Sequence, residues 1–210
     1  MRSFPTSSPE NALLAAILSE LMWRRVPARA ELGRIAGLSE TEAGERLKAL
    51  ERMGAVVVDL AGNLLAAYPL SAVPTLHVVD LGGAAPWANC AIDALAVPAM
   101  AGRPGTIRSR CAHCDAGVTV DVEGPRITGA RPETAVVAYG GLAHCIDRPS
   151  LEGRCPYINF FCDLAHARAW KRPGGWQGRL LSLAEAVELA LERFDPIIEI
   201  FRHSPVAPQA

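Results

Sequence analysis

The chain has 210 residues, of which 50% are hydrophobic, so it can bury a sizeable core as one large domain or two small ones. Its formal net charge at pH 7 is −1, which provides no strong field to attract nucleic-acid phosphates or anionic lipid. Length, composition and charge therefore exclude a protein that binds polyanions through its overall charge.

The N-terminal region lacks the patterns that direct a chain to or across a membrane. An apolar run from Leu13 to Leu18 is flanked by Glu10 and Glu20, and no small-residue cleavage site follows it. No stretch approaches about 18 uninterrupted apolar residues. We expect no signal peptide, no membrane span and a cytoplasmic location. In that reducing compartment the six cysteines would serve as thiols or metal ligands rather than as a disulfide framework.

The first part of the chain predicts three helices. Apolar residues at spacings of three and four indicate a helix after a Ser-Pro-Glu-Asn segment, and Pro27 ends it. A shorter helix is expected at about 28–36. Ser39 then begins a third helix, in which Glu42 completes a capping box and Gly54 marks the end.

A predicted hairpin, "AVVVDL" and "LLAAY" joined by "AGN", follows the helices. Three helices and a two-stranded wing are typical of a winged-helix module, which we place at residues 1–73. The third helix of such modules usually contacts DNA. Here it carries more acidic than basic groups, so we expect a packing or dimerisation role and no DNA partner. These charged residues are Glu40, Glu42, Glu45 and Glu51 against Arg46, Lys48 and Arg52.

Residues 74–210 predict a second domain. A strand, "TLHVVDL", precedes an apolar helix, and the strand-like runs "TIRSR", "GVTVDV", "RITGA" and "TAVVAY" are separated by Gly, Pro and Asp turns. The C-terminal part follows "YINFF" with a helix at about 163–170, a loop containing "PGGWQG" and a helix from Ser182 to Phe194. The expected fold class is α+β, with the winged-helix-like module followed by a small, mostly antiparallel sheet and flanking helices.

The apolar segment "PWANCAIDALAVPAM" carries one thiol and one carboxylate three residues apart. On a helix, Cys90 and Asp93 share a face at about 5–6 Å between Cβ atoms, so both can address one ligand. A free cysteine often behaves as a small buried hydrophobe. A carboxylate among aliphatic residues is costly to bury unpaired, so Asp93 is either capped by hydrogen bonds or functional.

The other cysteines suggest a metal site. Cys111 and Cys114 in "RCAHCDAG" have the spacing of zinc ligands, and Cys145 with Cys155 could complete a tetrahedral set. The nine residues between that second pair exceed the usual two to four. A redox role for the first pair is less well supported, because no thioredoxin-like βαβ unit surrounds it. Three nearby histidines are more typical of surface imidazoles, or of imidazoles that support a ligand, than of ligands: His113, His144 and His166.

Two segments carry a specific pattern of cysteines. "NCAIDALAVPAMAGRPGTIRSRC" combines Cys-x-x-Asp with a Pro-Ala-x-x-Gly-Arg segment and a further cysteine at a strand end. About 45 residues later, "CPYINFFCDLAHARAW" places a cysteine before a Phe-Phe pair. This pattern resembles the catalytic domain of the alkylmercury lyases, also called organomercurial lyases. The winged-helix-like module also belongs to that architecture, so the resemblance covers nearly the whole chain.

The resemblance implies roles for four residues. The two catalytic cysteines of the family correspond to Cys90 and Cys155, its carboxylate to Asp93, and its structural cysteine to Cys111. The chain departs from the family pattern at Asn89, where an aromatic residue is usual, at Pro156, Tyr157 and Asn159, where a His-containing segment is usual, and in the additional Cys114, Cys145 and Cys162.

The implied activity is protonolysis of carbon–mercury bonds to a hydrocarbon and mercuric ion. Soft thiolates would hold the metal, and Asp93 would take protons from the thiols and pass one to carbon. The implied partners are an organomercurial substrate, small thiols and a mercuric reductase that accepts mercuric ion. No cofactor is required, although mercuric ion stays bound as product and Cys111, Cys114 and Cys145 could hold structural zinc. Two alternatives stay open: a soft-metal-binding or metal-responsive regulator of the same fold, and a zinc protein without catalysis.

Overall fold

The computed structural model describes residues 9–145, 150–171 and 174–203, in which three helices are followed by short strands with further helices between them. The helices are α1 (Asn11–Met22), α2 (Leu32–Ala36), α3 (Glu40–Met53), α4 (Ala91–Ala101), α5 (Ser150–Gly153), α6 (Leu164–Ala169) and α7 (Leu183–Arg202). The strands are β1 (Val56–Val58), β2 (Leu64–Ala67), β3 (Leu70–Ser71), β4 (His77–Asp80), β5 (Trp87–Ala88), β6 (Gly105–Arg110), β7 (Gly117–Glu123), β8 (Arg126–Arg131), β9 (Val136–Leu142), β10 (Asn159–Phe161) and β11 (Trp176–Ser182). None of the helices in these ranges is long and apolar enough to cross a membrane.

The strands form two antiparallel sheets. The larger has eight strands in the order β1-β2-β3-β5-β4-β6-β7-β8, and the smaller has three in the order β10-β9-β11. Antiparallel sheets packed against helices make an α+β fold, and this part of the sequence prediction is confirmed. Because β3 pairs with β5, the larger sheet continues across the domain boundary that the sequence predicts after residue 73.

Three N-terminal helices form as the sequence predicts, although α1 ends at Met22, before Pro27, and α2 begins only at Leu32, after a 3-10 turn at Arg29–Glu31. Capping chemistry explains the bounds of α3. Ser39 accepts a hydrogen bond from the Glu42 amide, while the Glu42 carboxylate accepts from the Ser39 amide. Gly54 ends α3 in the left-handed conformation, with φ of 72°. Helix α1 is apolar around most of its circumference, and it is buried against α2, α3, α7 and the strands β2 and β3.

The core joins both sheets through α4 and α7. Helix α4 is apolar on all sides, and it packs against α7 and the strands β4 to β7. Helix α7 continues past the predicted end at Phe194 and through Pro196. Its apolar stripe persists in Ile197, Ile198 and Phe201, so burial of the final turns outweighs the hydrogen bond lost at the proline.

The sequence predicts a loop at "PGGWQG", and this prediction is wrong for the second half of the segment, which belongs to β11. All seven residues of β11 pair with β9. Gly140 and Gly178 lie opposite each other, and a Cβ on Gly140 would lie 2.3 Å from the carbonyl oxygen of Gln177. The two strands therefore approach closely only because both positions lack a side chain. The strand contains glycine and exposed polar residues, so its sequence lacks the hydrophobic alternation by which a strand is recognised.

Candidate functional site

Cys90 lies at the start of α4 rather than inside it. Its backbone is extended (φ −157°, ψ 177°), and its sulfur accepts a hydrogen bond from the Asp93 amide at 3.5 Å. The prediction that Cys90 and Asp93 share a helical face is therefore wrong in its geometry, because Cys90 is the N-cap. The two groups are close because an N-cap side chain folds over the first turn of its helix.

Cys155 comes from a separate segment that docks on this helix start. It begins a single 3-10 turn, Cys155–Tyr157, and the carbonyl of Ile158 accepts a hydrogen bond from the Ala91 amide at 3.0 Å. The Cys155 sulfur lies 3.9 Å from Oδ2 of Asp93 and can donate to it. The structure thus brings Cys90, Asp93 and Cys155, hereafter the triad, together with all ligand atoms within 4.8 Å of one another.

The triad is almost completely enclosed. The exposed fractions of Cys90, Asp93 and Cys155 are 1%, 2% and 5%. Burial raises the pKa of Asp93 to about 7, although the nearby positive charge of Arg193 on α7 opposes this shift. Burial also raises the pKa of the Cys90 thiol. The Cys90 thiol therefore keeps its proton at neutral pH, whereas the Asp93 carboxyl titrates there and can both accept and donate a proton.

Two further residues lie beside the triad: Tyr68, which the sequence analysis missed, and Asn89, which it named only as a departure from the family pattern. The hydroxyl of Tyr68 lies 3.9 Å from the Cys155 sulfur, which can donate to it. Asn89 donates from Nδ2 to the carbonyls of Pro69 and Leu70, and so ties the chain after Tyr68 to the start of α4. No local spacing connects Tyr68 with the cysteines; its one signal was a lone phenol in the small aliphatic run "LLAAYPL".

A second cluster consists of Cys111, Cys114, Cys162 and His166, hereafter the four-donor cluster. Its ligand atoms also lie within 4.8 Å of one another. Cys111 and Cys114 follow β6, Cys162 follows β10, and His166 lies on α6. The Cys114 and Cys162 sulfurs are 3.8 Å apart, and the Cys111 sulfur is 3.6 Å from His166 Nδ1.

This arrangement corrects the predicted composition of the metal site. The structure places Cys155 in the triad, so it does not complete a set with Cys111 and Cys114. The side chain of Cys145 lies outside the described residues. His166 faces the Cys111 sulfur and is one of the clustered donors, so it is not simply a surface imidazole, the first of the two alternatives expected for it. The available signal was the spacing Cys-x3-His in "CDLAH", which is a common ligand interval.

Comparison with known proteins identifies the family. The alkylmercury lyase family model matches residues 70–195. The alkylmercury lyase of Bacillus cereus is 31% identical over 145 residues, which cover 68% of this chain and 63% of that protein. The alkylmercury lyase of Pseudomonas putida is 29% identical over 160 residues, which cover 75% of this chain and 72% of that protein.

The fold agrees with that match. A crystal structure of the mercury-bound form of MerB2 superposes with a TM-score of 0.72 over 93% of this chain and 92% of the other, at 22% identity. A likeness at that identity concerns the fold, whereas the family model covers more than half of the sequence, including the triad. The chain belongs to the alkylmercury lyase family.

Proposed function

We propose that the protein cleaves the carbon–mercury bond of organomercurials by protonolysis, giving a hydrocarbon and mercuric ion. The observation that carries this proposal is the triad: two buried thiols and one buried carboxyl with all ligand atoms within 4.8 Å. Thiolates are the ligands that soft metals prefer. A carboxyl in contact with both the thiols and the metal site is placed to protonate carbon.

The reaction balances with these groups alone. One thiol loses its proton to Asp93 and displaces the anion X from R–Hg–X, and that proton leaves with X. The second thiol then binds mercury, and its proton passes through Asp93 to carbon, where the electron pair of the carbon–mercury bond forms the new carbon–hydrogen bond. The products are R–H, H–X and a mercuric ion held by Cys90 and Cys155. Mercury stays divalent throughout, so the step requires no resident cofactor.

The electrostatics of the triad support this sequence of proton transfers. Because burial raises the pKa of Cys90, the thiol keeps its proton until a metal replaces it. Burial raises the pKa of Asp93 to about 7, so its carboxyl can accept a thiol proton and release one again at neutral pH. Burial also strengthens these electrostatic interactions, because the surroundings of a buried group have a lower dielectric constant than water.

The N-terminal part, residues 1–73, is proposed to be a winged-helix-like packing module without a DNA partner. Its third helix turns Ala43, Leu47 and Leu50 inward. The remaining face of α3 has more carboxylates than basic groups, which would repel a phosphate backbone. Residues 74–210 are proposed to form the catalytic part. Tyr68, from the N-terminal part, also contacts the triad. A metal-responsive regulator is less well supported, since it requires that DNA contact.

The partners of the protein follow from its product. A mercuric ion held by two buried thiolates leaves only by exchange with other thiols. We therefore propose small thiols as helpers, with a mercuric reductase as the final acceptor. Free thiols persist in a reducing compartment, which is the reason to place the protein in the cytoplasm.

The decisive experiment measures hydrocarbon release. Purified protein is incubated with phenylmercuric acetate and excess cysteine, and benzene is quantified by gas chromatography. The parent should release benzene, and Cys90→Ser and Cys155→Ser should not. Cys145→Ser, which removes a thiol absent from the family pattern, should behave as the parent. No benzene from the parent, or full release from either triad variant, would contradict the proposal.

A further inference from the structure

We propose that the four-donor cluster binds one zinc ion tetrahedrally, as a structural site separate from the triad. The set consists of three thiols and one imidazole, contributed by two short segments with the spacings Cys-x2-Cys and Cys-x3-His. Both intervals lie within the usual range for zinc ligands in proteins. The proposal does not depend on the lyase activity, because it concerns none of the triad residues.

The distances within the cluster match the edges of a zinc tetrahedron. Zinc binds sulfur at about 2.3 Å and histidine nitrogen at about 2.0–2.1 Å, so tetrahedral angles place two sulfurs about 3.8 Å apart and a sulfur and nitrogen about 3.6 Å apart. The Cys114 and Cys162 sulfurs are separated by 3.8 Å, and the Cys111 sulfur is 3.6 Å from His166 Nδ1. Two of the six donor pairs are thus already separated by tetrahedral edge lengths, and all the donor atoms lie within 4.8 Å of one another.

The backbone around Cys111 is folded as a ligand turn. The Asp115 amide donates to the Cys111 carbonyl at 2.9 Å, and the Cys111 amide donates to the Ala116 carbonyl at 2.8 Å. The backbone amides of Cys114, Cys162 and His113 lie near the Cys111 sulfur. Amide hydrogen bonds to a metal-bound sulfur stabilise its negative charge and fix its orientation.

His166 is held in place independently of any metal. The amide of His166 donates to Oδ1 of Asp163 at 2.7 Å, which is the N-cap of α6. The His113 ring packs against the His166 ring with centroids 5.0 Å apart. These contacts aim the imidazole at the cluster, so that the fourth donor is preorganised.

The donor set indicates zinc and a structural role. Three thiolates and one imidazole are a standard ligand set of structural zinc sites, which use all four positions and leave none open for substrate. The metal would join the end of β6, in the large sheet, to the end of β10, in the small sheet. A single backbone hydrogen bond lies beside this junction, from the Ala112 amide to the Phe160 carbonyl at 3.1 Å.

Metal analysis of the full-length protein tests the proposal. Protein from zinc-supplemented cultures should contain one zinc per chain by mass spectrometry. The double variant Cys162→Ser/His166→Ala should lose it. Cys90→Ser, in the triad, and Cys145→Ser, in the originally predicted set, should both keep it.

Because loss of ligands can itself impair folding, a second measurement uses the folded parent. Zinc is removed with a chelator, cobalt(II) is added, and the absorption spectrum is recorded. The visible bands of tetrahedral cobalt and thiolate-to-cobalt charge transfer should develop to one equivalent and disappear when zinc is restored. The proposal is overturned if the parent binds neither metal, if mercuric ion but not zinc occupies the cluster, if the double variant keeps stoichiometric zinc, or if Cys145→Ser loses it.

Discussion

The triad and the four-donor cluster are two sulfur-rich sites built from the same stretch of chain, yet they differ in donor number and exposure. The triad has two thiols and a carboxyl, none more than 5% exposed. The four-donor cluster has three thiols and an imidazole, and it ranges from the buried Cys111 to the exposed Cys114. Four donors complete a tetrahedral metal ion, whereas two thiols and an acid leave room for a metal that still carries an organic group.

The difference arises within one short segment. Residues 155–162 contribute a cysteine to each site, with β10 between them. Cys155 faces the start of α4, and Asp93 lies in the first turn of that helix. Cys162 faces Cys114 in the turn after β6. In the two functions proposed above, a proton-bearing carboxyl, rather than the thiols as such, distinguishes the site that breaks a bond from the site that holds a metal.

The largest expected effect breaks this distinction by removing the acid. Asp93→Asn keeps the size of the side chain and both thiols, so mercuric ion should still bind. Benzene release should fall by about 10² to 10⁴, the usual contribution of acid–base catalysis. Asp195→Asn, an exposed position on α7, is the matched control and should leave the rate unchanged. Full activity of Asp93→Asn would show that the proton reaches carbon by another route.

The next largest effect is expected on thermal stability rather than on the rate of benzene release. Cys114→Ser removes one donor of the four-donor cluster. If zinc is present at a thousandfold above its Kd, the loss is about 4 kcal/mol, or roughly 8–16 °C in Tm for a chain of this size. Thermal melting in the presence of zinc measures this, with Cys145→Ser as control. Lost turnover at unchanged Tm would instead assign Cys114 to the reaction.

A third effect concerns His77, which packs against β10, the strand between Cys155 and Cys162. His77 is buried, its Nδ1 lies 2.9 Å from Oγ of Ser109, and its ring packs against Phe160 of β10. Burial lowers its pKa to about 4. The unfolded chain binds a proton at His77 below about pH 6.5, whereas the folded chain binds it only near pH 4. The free energy of unfolding is therefore greatest above pH 6.5 and falls by about 3 kcal/mol as the pH drops to 4.

Urea unfolding at pH 7 and pH 4.5 measures this loss. His77→Gln cannot titrate in this range and should show a shallower fall in the free energy of unfolding, while His203→Gln, at an exposed position after α7, should follow the parent. Equal pH dependence in the parent and His77→Gln would mean that acid sensitivity originates elsewhere.

The smallest effect sharpens the boundary of the triad. Tyr68→Phe removes a hydroxyl 3.9 Å from the Cys155 sulfur, a long contact that should contribute about 1 kcal/mol and reduce benzene release by less than tenfold. Tyr139→Phe on β9 serves as the control. A loss above a hundredfold would place the phenol among the groups that carry protons.

Local chemistry made most elements predictable, and distance along the chain limited the rest. The capping boxes at Ser39 and Ser182 marked helix starts correctly, because their hydrogen bonds involve residues three positions apart. Strand β11 has no apolar alternation and is formed by its pairing with β9, so its sequence carried little signal.

The site divides in the same way. The closeness of Cys90 and Asp93 follows from three-residue spacing, and a family resemblance was needed to add Cys155. Tyr68 approaches only through the tertiary fold, which no spacing rule describes. The pairing of Cys162 with Cys114 likewise depends on β6 and β10 ending side by side.

The continuity of the large sheet through residue 73 has a practical consequence for anyone who shortens the gene. Strand β3 supplies the pairing partner of β5, through Leu70 with Ala88 and Ser71 with Trp87. A product beginning at residue 74 would leave β5 as an open edge and uncover the part of α7 on which α1 rests, both of which favour aggregation. The N-terminal part is thus an obligatory co-folding partner, and the protein is best expressed whole.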